Sequence, residues 1–290
     1  MISLLRLLHT FIFVFLLSLA VFGETLIPQR EKHQISSAFW VYTIPTAANS
    51  PGRFGAYFKT NVVLYNPTFH NYKIHVFLAN SKGIVSSKEF DMPPLAYYFW
   101  ENFLEEFFGY RGAGAVLFDS LSPPGGSEEY RFSVYAEVYT DSPNGRFSTI
   151  VLNGTPGAPI DVGTNVTGID PTELESSPLA ELLGRVKRIV ANPGIIASSR
   201  QRVNIGITNL ESGNRTYVAV ILDGDLNVVR IIPFPVPAYG WAQKSVPVQF
   251  AGSVAWGCLQ PSCIGIPWVV TVDNSSNDGT LTYPTVHDVK

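Results

Sequence analysis

Apolar and polar residues alternate with a period of two over much of the chain, in short runs closed by turn residues. The stretch 72–78 is the clearest case. Tyr72, Ile74, Val76 and Leu78 fall on one face, with Lys73, His75 and Phe77 on the other. Residues 62–65 end at Asn66-Pro67, and 114–118, 130–139 and 147–152 follow in the same manner. Such alternation puts one face of a strand on a core and the other toward solvent. Short strands recurring between turn signals predict an all-β protein built from sandwiches. Helical spacing occurs in two places. Residues 102–108 read as one and a half turns, with Asn102 as N-cap, Glu105 as its capping-box partner and Gly109 as the stop. Leu174, Leu179, Leu182 and Leu183 place a second short helix within 171–184, at the end of a Gly-, Pro- and Ser-rich stretch that reads as a linker.

The strand pattern repeats. Phe58-Lys-Thr-Asn-Val-Val-Leu-Tyr-Asn-Pro67 aligns with Gln201-Arg-Val-Asn-Ile-Gly-Ile-Thr-Asn-Leu210. At the same offset, Pro94-Leu-Ala-Tyr-Tyr-Phe-Trp100 meets Pro237-Ala-Tyr-Gly-Trp-Ala-Gln243, which sets Trp100 and Trp241 in nearby places. A third block pairs residues 136–145 with 270–279, each closing a hairpin on Asn-Gly or Asp-Gly. Asn61 is thereby matched to Asn204 and Pro94 to Pro237.

The run Ile44-Pro-Thr-Ala-Ala48 followed by residues 58–67 resembles a set of exported bacterial proteins. They carry an IPAAA … FRTNLxLxNP … LPPGG … VDNRTGDP pattern, often in tandem. Met92-Pro-Pro94 resembles the third block and residues 272–278 the last, while the second copy departs at Gln201-Arg-Val203 and Leu210. The resemblance implies two tandem immunoglobulin-like β-sandwich domains with short helical insertions, and supplies no activity. The expected organisation is a signal peptide over 1–23, sandwiches over 38–155 and 187–290, and a linker with a short helix over 156–186.

Composition narrows the function. The 290 residues are 46% hydrophobic and 15% charged, with a formal net charge of -3. So apolar a chain can offset its ordering entropy, which argues against disorder, and it has no basic excess to neutralise nucleic-acid phosphates. Arg6, His9 and the apolar run from Thr10 to Phe22 read as a secretory leader that ends at Gly23. No later run approaches a spanning length, so no membrane span is expected in the mature chain, which should be secreted, periplasmic or on the cell surface. In that oxidising setting Cys258 and Cys263, bracketing a turn that contains Pro261, are expected to form a disulfide.

Candidate chemistry is sparse. No Gly-x-Ser-x-Gly elbow occurs, and His33, His70, His75 and His287 lie beside no convincing nucleophile. The doublets Glu105-Glu106 and Glu128-Glu129 read as solvated acids and not as a glycosidase pair. Asp223, Asp225 and Asn227 begin like a calcium loop, but Val228 and Phe234 stand where its Gly and Glu belong, so they read first as a hairpin turn, as do residues 273–278. No catalytic residue, metal ligand or cofactor is assigned. The aromatic run over 97–110 offers the best recognition surface, with Tyr97, Tyr98, Trp100 and Trp241 as a possible ligand platform. The alternative use of these rings is to close a sandwich end, with Phe103, Leu104, Phe107 and Phe108 buried. The expected function is a non-enzymatic surface or extracellular interaction protein, with a protein or glycan partner. The rival readings are a carbohydrate-binding module and a β-sandwich hydrolase.

Overall fold

The computed structural model describes residues 42–121, 132–142, 145–151, 160–161, 188–260 and 263–288. The expected leader, the helix over 171–184 and Glu128-Glu129 lie outside the described residues. The first set of elements is β1 (Tyr42–Pro51), β2 (Tyr57–Tyr65), β3 (Tyr72–Asn80), β4 (Gly83–Met92), β5 (Tyr97–Trp100), α1 (Phe103–Phe108), β6 (Gly112–Leu121), β7 (Ser133–Ser142) and β8 (Gly145–Val151). Next is β9 (Ile160–Asp161), inside the expected linker, which pairs with Ile264 and Gly265. Then come β10 (Arg188–Ala197), β11 (Gln201–Asn209), β12 (Arg215–Asp223), β13 (Val228–Val236), β14 (Trp241–Ser245), β15 (Phe250–Cys258), β16 (Ile264–Asp273), β17 (Gly279–Thr282) and β18 (Thr285–Asp288).

The protein is all-β, with antiparallel sheets. In the first half the strands run β4-β3-β6-β1 and β5-β2-β7-β8, joined because β1 leaves β6 to pair with β2 at Ser50 and Pro51. In the second half they run β13-β12-β15-β10, extended by β18, and β14-β11-β16-β17. The order of β1–β8 recurs in β10–β17. Each half has its own core. Ile74, Val76, Leu78, Val116 and Phe118 meet Val62, Leu64, Val134 and Ala136 in the first. Ala219, Ile221, Val254 and Trp256 meet Val203, Ile205, Ile207 and Val269 in the second.

The likeness extends to backbone detail. The ladder shifts between Ile44 and Ala47 in β1 and between Asn192 and Ile195 in β10, each time around a proline, Pro45 or Pro193. Opposite each bulge stands a glycine, Gly114 or Gly252, whose added Cβ would collide with the carbonyl of Ala79 or Leu222. Asn66 and Asn209 close the same turn. The Asn66 amide donates to the carbonyls of His70 and Pro93, and that of Asn209 to Gly213 and Pro237. Leu95 and Tyr239 both take left-handed backbone there, with φ of 57° and 50°.

Two sequence alignments are corrected by one register step. Pro237 matches Pro93 and not Pro94, because Pro93 supplies the carbonyl that the asparagine holds. Trp241 matches Tyr97 and not Tyr98, since Thr208 pairs with Trp241 where Tyr65 pairs with Tyr97, and it stands three positions from the place of Trp100. Asn61 and Asn204 do lie on matching strands, β2 and β11. The late hairpins form as expected, with Ser142 opposite Gly145 and Val272 opposite Gly279.

The predicted helix over 102–108 is α1, ended by Gly109 in the left-handed region at φ 66°. Its capping partner is Glu106, whose carboxylate accepts the Asn102 N–H at 2.8 Å. Glu105 is drawn away to the Asn49 amide at 2.8 Å and toward Arg111. Phe103, Leu104 and Phe107 are buried on the first core.

The outer face of β3 and β6 meets the second half. Phe77, Ala79 and Leu117 pack on Leu210, Ile264 and Ile266, while Ala113 and Ala115 pack on Trp241 and Trp268. Phe77, expected on the solvent face, is therefore only 6% exposed. The bulge in β1 leaves Pro45 outside the ladder, and its carbonyl accepts from Trp241 Nε1 at 2.8 Å and Thr208 Oγ1 at 3.3 Å.

Cys258 and Cys263 are joined as a disulfide, both fully buried, with Cα atoms 6.2 Å apart. The bond sits where the chain passes from β15 to β16, and so from one sheet of the second half to the other. A loop this short stabilises by about 2 kcal/mol in chain-entropy terms. Thiol titration of the unreduced protein should find no reactive thiol, and reductant should lower its melting midpoint. Two titratable thiols without reductant would contradict the pairing.

Candidate functional site

Alternation divides the aromatic run between two faces. Tyr98 and Trp100 point inward, and Trp100 is 6% exposed. Its ring stacks on Tyr98 at 5.7 Å and meets Phe103 and Phe107 edge-on at 5.1 and 5.5 Å. Phe103 and Phe107 stack on each other at 4.8 Å, so α1 roofs this end of the core. Trp241 is also buried, in the contact between the halves, where it stacks on Trp268. Of the four rings proposed from sequence as a platform, Tyr97 alone is strongly exposed; Tyr98 is half-buried.

Tyr97 belongs instead to a different group. Cross-strand register sets Tyr65 opposite Tyr97, and Val63 opposite both Phe99 and Tyr135. All five side chains share the outer face of β5-β2-β7. Tyr65 is 38% exposed, Tyr97 45%, Phe99 54% and Tyr135 43%. Four large rings on three adjacent strands make an apolar surface of the kind that marks recognition, with phenolic hydroxyls as polar handles. Sequence alternation could have turned each ring outward. Only the strand register brings them together.

One edge of this surface is polar. Asn61 lies opposite Glu137, and its amide donates to the Glu137 carboxylate at 2.7 Å. The Tyr135 hydroxyl has its pKa pushed up, first by burial and then by the Glu137 charge. The tyrosine therefore stays neutral and able to donate a hydrogen bond through the physiological range.

A cleft of about 280 Å³ lies between the halves, lined by Arg53, Phe58, Arg202, Asn204 and Ser245 among others. The Arg202 guanidinium donates to Asn274 Oδ1 at 3.0 Å and Asn277 Oδ1 at 2.9 Å. Burial lowers its pKa, and the Arg53 cation adds to that effect against the opposing pull of Asp273. The cleft is cationic, but it is small for a ligand pocket.

The remaining candidates are held by their own turns. Asp223 Oδ1 accepts from the N–H groups of Asp225 and Asn227, and Oδ2 accepts from the Asn227 amide. The Asp273 carboxylate accepts from the N–H groups of Ser275 and Ser276 and from the Ser275 hydroxyl, which hold its pKa down to about 2. Among the described residues, no three or more His, Cys, Asp or Glu side chains converge on a metal position. His75 pairs with Glu89 at 2.8 Å, on the same outer face as Phe77. No helix among the described residues is long and apolar enough to cross a membrane.

Comparison with protein-family models, curated proteins and solved structures returns no match for the chain.

Proposed function

We propose that this is an exported, non-enzymatic interaction protein of two tandem immunoglobulin-like β-sandwiches, docking partners through the outer face of β5-β2-β7. The recurring strand order, the paired bulges and the two asparagine-held turns support duplication of one sandwich. They fit the resemblance to tandem-repeat exported proteins. The apolar leader and the buried disulfide support export. One observation carries the docking role: Tyr65, Tyr97, Phe99 and Tyr135 are all more than a third exposed on a single face. Large rings fixed on strands lose little entropy on binding and dominate interface energetics.

Tyr97→Ala combined with Phe99→Ala tests this reading. The exported protein is passed over immobilised cellulose, chitin and xylan, and over immobilised copies of itself. Binding to at least one of these surfaces is expected, with a loss of tenfold or more in the double variant and a melting midpoint within about 3 °C of wild type. Binding that survives the substitutions would reject the face as the docking surface. A saccharide partner is the second reading, favoured by the half-exposed Glu137 carboxylate and the phenolic hydroxyls beside the rings. A carboxylate and phenolic hydroxyls next to aromatic faces suit sugar hydroxyls and the apolar face of a pyranose.

A further inference from the structure

The contact between the halves does not close along its whole length. Outward positions on β16 run from Trp268, which packs on Ala115, through Val270 to Val272, and register sets Asn204 and Arg202 of β11 opposite the last two. Beyond the tryptophan the cleft of about 280 Å³ opens between the halves. Arg53 lines it from the first half, on the turn over Arg53–Gly55 that joins β1 to β2, and Arg202 lines it from the second. Each half therefore gives the cleft one arginine.

No acid balances these two cations. Among the described residues that line the cleft there is no aspartate or glutamate, and neither guanidinium forms an ion pair. Asp273 is close enough for its charge to act on Arg202, but its carboxylate is committed to the N–H groups of Ser275 and Ser276. The Arg202 guanidinium is fixed by two neutral oxygens, those of Asn274 and the buried Asn277. Its planar fork is thus set in place with N–H groups to spare and its charge uncompensated. The Arg53 cation acts on it as well, so two like charges face one cavity. Their repulsion is relieved when an anion comes between them. The Ser245 hydroxyl donates to Asn204 Oδ1 at 2.6 Å, which leaves the Asn204 amide to supply further N–H donors at the same wall.

We propose that this cleft binds a small organic dianion, a phosphate monoester or a dicarboxylate, whose oxygens lie between Arg53 and Arg202. Guanidinium groups pair with phosphate and carboxylate oxygens two at a time, and two of them with no acid nearby match a double negative charge. Phe58, Val138, Val270 and Val272 also line the cleft and give the carbon body of the ligand apolar walls. A cavity too small for a drug-sized ligand is large enough for one headgroup and a single ring. Because its two arginines come from different halves, a bound dianion ties the halves together. The site is separate from the aromatic face and does not depend on the docking role given to it.

Isothermal titration calorimetry of the exported protein tests this, with phenyl phosphate and phthalate as dianions and benzoate as the monoanion, at mildly alkaline pH and low salt. One-to-one binding of at least one dianion is expected, tighter than benzoate by about tenfold or more. The stronger of the two dianions tells a phosphate ester from a dicarboxylate. Arg53 is exposed, so Arg53→Gln should melt as wild type does without ligand and yet lose about tenfold or more in affinity. Arg202→Gln should lose as much, and Arg53→Gln alone decides if that variant fails to fold. The Tyr97→Ala, Phe99→Ala variant should bind the dianion as wild type does. No saturable binding of either dianion overturns the proposal, as does benzoate bound equally tightly or an affinity that Arg53→Gln leaves unchanged. Affinity lost in the Tyr97→Ala, Phe99→Ala variant would put the anion on the aromatic face and overturn it too.

Discussion

Phe107→Ala should unfold the first sandwich far more readily while leaving the docking face intact. Phe107 is 3% exposed and is held by Phe103, Phe108, Trp100 and Phe90 at ring separations of 4.8 to 5.9 Å. Lys88 adds its ammonium over the ring and donates to the Phe107 carbonyl. Removing a ring so enclosed costs about 3–5 kcal/mol, because the transfer energy is lost and a cavity remains. For a domain of this size the melting midpoint should fall by roughly 10 °C or more. Association by the surviving folded fraction should match wild type, since Phe107 lies beneath the opposite side of β5 from Tyr97 and Phe99. An unchanged melt would mean that α1 does not roof the core.

Asn66→Asp and Asn209→Asp should each destabilise by about 2–4 kcal/mol, judged from the cost of buried groups left unpaired. Both amides are fully buried. Asn66 donates at 2.7 Å to His70 and 2.8 Å to Pro93, and accepts the Thr68 N–H at 3.0 Å. Asn209 donates at 2.8 Å to both Gly213 and Pro237, and accepts the Glu211 N–H and the Tyr217 hydroxyl. Aspartate keeps the shape but sets an oxygen against two carbonyl oxygens, so the acceptors lose their partner and meet repulsion instead. Urea unfolding should register similar penalties at the two positions, because the same turn is held twice. A penalty at one position and none at the other would contradict the equivalence of the halves.

Period-two alternation made the strands legible, because a sheet buried on one face imposes that period on its sequence. The inward set Tyr72, Ile74, Val76 and Leu78 lies in the first core as expected. Helical spacing of Phe103 and Phe107, with Leu104 beside them, likewise gave the buried side of α1. Alternation could not show what covers an outer face. Phe77 reads as solvent-facing, and only the packing of the second half explains its burial. The choice between Glu105 and Glu106 at the helix cap depended on Asn49, distant in sequence and near in space. For the aromatic surface, Tyr65 and Tyr135 are separated by most of a domain in sequence. Their common face follows from the pairing of β2 with β7, which no local pattern encodes.

Hydroxyl-radical footprinting of the exported protein, alone and on the surface that retains it, tests the docking face most directly. Alone, Tyr65, Tyr97, Phe99 and Tyr135 should be labelled quickly, and Trp241 and Trp268 slowly because the second half packs on the first through them. On the retaining surface, labelling of the four exposed rings should fall together, while the tryptophans stay protected. Labelling of the four rings that is the same in both states would contradict the account.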